Sequence, residues 1–111
     1  MDTMTRYREL IEQVITEHAQ IKPAFGEVRI EAIFDEEQDH YELTYAGWDG
    51  SRRIEGTVIH VDIIDGKIWI QHDGTEHGVA RELEALGVSP KEIVLGFHSP
   101  AKRPLTEYAV G

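Results

Sequence analysis

The chain has 111 residues, 41% of them hydrophobic and 29% charged, which suits one globular domain with a single core spanning 1–111. Asp and Glu number 21 against 11 Lys and Arg, a formal net charge of −10 without the basic stripe that phosphate contacts need, and the absence of cysteine excludes disulfides, thiolate metal sites and cysteine nucleophiles together. With no apolar run of about 18 residues and no basic-then-apolar leader, neither a membrane span nor a secretory signal is expected, and the cytoplasm is the default location.

From Thr3 to about Gln20 the residues Met4, Tyr7, Leu10, Ile11, Val14, Ile15 and His18 or Ala19 recur at three-four spacing, the signature of an amphipathic helix. Asp2 or Thr3 can cap it, and Lys22-Pro23 and Gly26 punctuate its end. His18, in the last turn, reads as a dipole-facing or half-buried histidine rather than a ligand. Glu27 to Phe34 alternates as a first strand. Asp35-Glu36-Glu37-Gln38-Asp39 follows as the densest acidic cluster of the chain; it lacks EF-hand spacing, so a solvated turn is expected there and not a Ca²⁺ loop.

His40 to Trp48 reads as the second strand, with Tyr41, Leu43 and Tyr45 on one face. A tight Asp49-Gly50 turn would set these against Val58, Gly56 and Ile54, whereas the apolar set further along is the odd-numbered Ile59, Val61 and Ile63. Either a β-bulge between Ile54 and Ile59, with Gly56 the natural site, or a loop longer than two residues resolves the conflict, and the bulge is the favoured reading.

Thr57 to Asp73 holds the strongest local signal. Two β-branched runs flank Asp65-Gly66, the dipeptide suited to a type I′ hairpin turn. The implied register pairs Ile64 with Lys67, Asp62 with Trp69, Val61 with Ile70, His60 with Gln71 and Ile59 with His72. Ile59, Val61, Ile63, Ile68 and Ile70 then share a core face. The other face carries His60, Asp62, Lys67, Trp69 and Gln71, polar groups around one indole, the profile of an interface anchor or of a ring lying under the C-terminal tail.

Past Asp73-Gly74 the period changes. Thr75 as N-cap, Glu76 in the first turn, a stripe of Val79, Ala80, Leu83 and Leu86, and Gly87-Val88 as a Schellman stop predict a second helix. Ser89-Pro90-Lys91-Glu92 predicts one further helical turn, and Ile93 to Phe97 a short extended segment. Pro100 and Pro104 break regular structure in the tail, from which Leu105, Tyr108 and Val110 can dock. The expected fold is α+β: an antiparallel four-stranded sheet of hairpins flanked by an N-terminal and a C-terminal helix.

Little in this chain suggests catalysis. His60-x-Asp62 with His72 resembles a metal triad, but the hairpin register turns His72 to the opposite face, and His40, His77 and His98 are scattered. Asp65-Gly66-Lys67 mimics a nuclease acid-x-lysine element, yet Asp65 is accounted for by the turn and no second carboxylate is placed to share a metal. No metal, cofactor or enzymatic activity is expected.

The chain resembles the XisI family of cyanobacterial fdxN element excision controlling factors. The resemblance is carried by Tyr7-Arg8, Lys22-Pro23, Asp39-His40-Tyr41, Gly47-Trp48, Arg53, Gly56, His60-Val61-Asp62-Ile63 and Gly66 to Gln71. It continues through Thr75-Glu76, Ala80, Glu82-Leu83, Gly87-Val88, Ile93 to His98 and Tyr108-Ala109-Val110. It implies a non-enzymatic accessory protein for excision of a DNA element, in which a separate recombinase does the strand chemistry. It also implies a XisH-like protein partner, of a family similar to restriction-type nucleases.

Charge and resemblance together lead to a domain that binds a basic, nucleic-acid-handling partner through Trp69, Asp62, His60, Gln71 and Lys67 or through Asp35, Glu36, Glu37 and Asp39. Two alternatives stand beside it. One is direct DNA contact through Arg52, Arg53, Lys102 and Arg103; the other is a homodimer built on the Trp69 face.

Overall fold

The computed structural model describes residues 2–21 and 26–111. Helix α1 (Thr3–Ala19) is followed by strands β1 (Glu27–Asp35), β2 (His40–Asp49), β3 (Arg52–Ile64) and β4 (Lys67–Asp73), then helix α2 (Val79–Ala85) and strand β5 (Ile93–Leu95). The Lys22-Pro23 helix stop lies outside the described residues. Asp2 caps α1, its Oδ1 accepting from the Thr5 N–H at 2.8 Å.

The sheet has five strands in the order β1-β2-β3-β4-β5, one more than expected, and β5 runs parallel to β4, pairing Ile68 with Ile93 and Ile70 with Leu95. The sheet is thus mixed. A hairpin cannot make that last pairing; the α2 segment serves as the crossover that parallel strands require. β5 is buried at Ile93 and Val94, which explains an apolar run too short for a helix.

The core face agrees with the expected set: Ile59, Val61, Ile68 and Ile70 are fully enclosed, as are Ile15 of α1 and Leu83 of α2, which cover them. Turn and bulge positions differ in detail. Asp65 (φ 49°) and Gly66 (φ 79°) form the expected tight turn. In the preceding hairpin Asp49 pairs with Arg52, so the loop is Gly50-Ser51 rather than Asp49-Gly50. The bulge falls at Val58, between the pairs Leu43–Ile59 and Thr44–Thr57, and Gly56 is instead paired with Tyr45, whose ring occupies the space a Cβ at Gly56 would need. A second bulge displaces Gln71, so His60 pairs with His72 and Ile59 with Asp73.

Helix α2 starts at Val79, later than the Thr75 expected from the sequence. Asp73 holds the intervening loop: its carboxylate accepts from the Thr75 N–H (2.9 Å), the Thr75 hydroxyl (2.6 Å) and the Val79 N–H (2.7 Å). Gly78 at φ 97° then blocks extension of the helix backwards, leaving Glu76 outside it. Its far end is the predicted Schellman stop, with the Val88 N–H on the Leu83 carbonyl and the Gly87 N–H on that of Glu84. Of the three tail residues expected to dock, Tyr108 does, donating to Glu84 at 2.6 Å, while Leu105 and Val110 are exposed.

The acidic turn is fastened to α1. Arg8 donates to both carboxylate oxygens of Asp39 (2.8 and 3.3 Å), which also accepts from the Tyr41 hydroxyl at 2.9 Å. This arrangement holds the Asp39 carboxyl below its ordinary value of 3.8, the Arg8 bond contributing most. A depressed carboxyl contributes stability above its unfolded pKa and loses it as pH falls through the folded one. Asp39→Asn, which tolerates the φ of 56° at this position, should therefore lower the urea midpoint near neutral pH and match the parent chain in strong acid. Midpoints measured from about pH 7 to about pH 2 check this. Burial raises Glu12 in the same range, so the difference between the two chains, not either curve alone, reports Asp39.

Candidate functional site

The outer face of the sheet, opposite the helices, gathers most of the polar residues singled out from the sequence. β2–β3 pairing sets His40 directly beside Asp62 and Glu42 beside His60. Alternation along β3 puts His60 and Asp62 on this same face. The result is a cluster that the β3–β4 hairpin alone does not reveal, because His40 comes from a third strand 22 residues away.

Asp62 is at its centre and is only 6% exposed, the one charged residue buried among those described. His40 Nδ1 lies 2.6 Å and His60 Nε2 2.9 Å from the same oxygen, Asp62 Oδ1, while the Gln71 carboxamide donates to Oδ2 at 3.3 Å. A buried carboxylate is costly unless such donors replace its water. The bond to Asp62 is also the main reason the His40 imidazolium persists above its ordinary pH range. Glu42 lies 3.8 Å from the second nitrogen of His60. His72, paired with His60 rather than with Ile59, is exposed and stays outside the cluster.

Trp69, beside Asp62 on β4, is half-buried. The Arg103 guanidinium stacks 5.0 Å from its ring centroid, and Gly111 lies close to Cζ2 and Cη2 of the indole. The tail is therefore part of this surface. Lys67 sits at the hairpin end of β4, opposite Ile64.

The acidic turn divides into two pairs. Asp35 and Asp39 are spent inside the fold, Asp35 Oδ1 accepting from the N–H groups of Glu37 and Gln38 at 3.1 Å. Glu36 and Glu37 remain exposed at the loop tip. The arginines are also occupied: Arg52 faces Asp49 (3.6 Å), Arg53 faces Glu55 (3.8 Å) and stacks on Trp48, and Arg81 pairs with Glu107 (2.6 Å). Arg52 and Arg53 line a groove of about 840 Å³ on the opposite, helix-bearing side, where Val28, Ile30, Leu43 and Val58 extend past the end of α1.

Fold and site define a small acidic α+β domain, a mixed sheet with helices on one face and a polar histidine–carboxylate cluster on the other. The family model of the XisI protein matches residues 1–110, and the chain belongs to the XisI family. A XisI-like protein of Anabaena variabilis is 40% identical, with a TM-score of 0.92 over 97% of this chain and 99% of that one. The fdxN element excision controlling factor XisI of Anabaena variabilis is 35% identical, with a TM-score of 0.83 over 99% of this chain and 100% of that one. No curated protein matches.

Proposed function

We propose that this domain is a non-enzymatic controlling factor for excision of a DNA element and that it acts by binding a basic protein partner, of the XisH-like kind, rather than DNA. The observation that carries this reading is the disposition of charge. A net charge of −10 is combined with arginines that are already engaged: Arg8, Arg29, Arg52, Arg53 and Arg81 each face a carboxylate within 4.0 Å. Phosphate binding depends on cations free to displace counterions, so the excess of negative charge disfavours DNA and favours a basic protein, although Lys102 and Arg103 face no carboxylate within 4.0 Å among the described residues. Membership of the XisI family, with a relative named as an excision controlling factor, supplies the process.

Glu36 and Glu37 are the contact residues best suited to this role, because both are exposed and neither fastens the turn as Asp35 and Asp39 do, although the Glu36 carboxylate lies beside Glu12 of α1 and helps to raise the Glu12 carboxyl. Isothermal titration of the chain with a XisH-like protein, with and without DNA, tests the reading. DNA-independent binding is expected, weakened about tenfold or more at low salt by Glu36→Lys with Glu37→Lys and less at high salt. Equal affinity for the parent and the double variant would remove the acidic turn from the interface.

A homodimer is favoured by one feature. β1 is an edge strand of nine residues with Ile33 exposed, and among the described residues no strand pairs with its outer edge. In analytical ultracentrifugation the free chain would then sediment with twice the monomer mass of 12.6 kDa, and a monomer mass would remove this reading.

A further inference from the structure

We propose that His40, His60 and Asp62 form a binding site for a divalent transition-metal ion of the zinc class. His40 Nδ1 and His60 Nε2 converge on Asp62 Oδ1, and one ligand atom from each residue lies within 4.8 Å of the other two. A tetrahedral ion with bonds of about 2.1 Å separates its ligands by about 3.4 Å. The contacts of 2.6 and 2.9 Å therefore need to open by less than about 1 Å, which side-chain rotation supplies. Two imidazoles with one carboxylate suit Zn²⁺, Co²⁺ or Ni²⁺ far better than Mg²⁺ or Ca²⁺, which call for oxygen donors.

The surroundings also fit. Asp62 accepts only, so without an ion each imidazole donates its proton to Oδ1. When the ion takes the Nε2 lone pair of His60, the ring proton sits on Nδ1, and the Glu42 carboxylate, 3.8 Å away, accepts a hydrogen bond from it once it closes by about 0.8 Å. Gln71 meanwhile holds the second oxygen of Asp62 and fixes the carboxylate plane. These are the outer partners that orient metal-binding imidazoles and carboxylates. The histidine side chains are 53% and 32% exposed, so the ion's remaining positions open to water on the outer face.

Two strands hold the three ligands in fixed register, so binding requires no folding of a loop. A bare hydrogen-bonded His-Asp-His network is the alternative the experiment must separate. Zn²⁺ titrated calorimetrically into the intact chain at pH 7.5 should bind one ion per chain with proton release, and Co²⁺ should develop visible absorption. His40→Gln, at the more exposed ligand, and His60→Gln should each weaken Zn²⁺ binding at least tenfold, while His72→Gln and His98→Gln leave it unchanged. No saturable binding of Zn²⁺ below millimolar concentration, or binding that survives both ligand substitutions in folded protein, would overturn the site.

Discussion

Ile59→Ala is expected to cost about 3–4 kcal/mol, shifting the urea midpoint with little change in slope. Ile59 is fully enclosed, pairs with Leu43 across the β2–β3 ladder and lies next to the bulge at Val58. Its removal deletes three buried carbons, and neither neighbouring strand can move into the space without disturbing the register on both sides. A domain of this size has about 5–15 kcal/mol in total, so one substitution consumes a large share of it. A loss below about 1 kcal/mol would mean that the sheet and α1 collapse around the gap.

Gly47→Ala is expected to be comparably damaging for the opposite reason. Gly47 pairs with Val28, and a Cβ there would overlap the backbone of Glu27 and the Cα of Val28. Backbone cannot rotate away as a side chain can, so β1 must peel from the sheet or shift in register, at a cost of about 3 kcal/mol or more. Gly56→Ala is the internal control. The neighbour it meets is the ring of Tyr45, which can turn aside, so a smaller loss of about 1–2 kcal/mol is expected. Hydrogen exchange separates the cases: Gly47→Ala should release protection across β1 selectively, whereas Ile59→Ala lowers it throughout.

These two residues mark different degrees of sequence legibility. Ile59 belonged to an alternating β-branched run, so its burial followed from period alone. The requirement for Gly47 arises from a close approach between strands that no local pattern encodes. The same contrast holds in the site. His60, Asp62, Trp69 and Gln71 were placed on one face by alternation, but His40 joined them only when β2 paired with β3 through a shifted register. The bulge at Gln71 breaks the simple count that sets His72 opposite Ile59 and makes it the cross-strand partner of His60 instead, yet among the described residues only His40, His60 and Asp62 bring their ligand atoms together. In the acidic turn, composition makes the four carboxylates Asp35, Glu36, Glu37 and Asp39 look alike. Arg8, from a helix 31 positions away, takes Asp39 out of that set.

The sequence by itself determined the two helices, the hairpin turn at Asp65-Gly66, the apolar face of the sheet and the acidic character of the domain. These follow from periodicity, from turn residues tolerant of positive φ and from charge counts, all of which are local or additive properties. Tertiary structure alone decided the fifth, parallel strand, the positions of the bulges, the late start of α2 and the meeting of His40 with His60 and Asp62. Each depends on which distant segment satisfies a backbone group or fills a gap, and that competition is settled only when the whole sheet closes over its core.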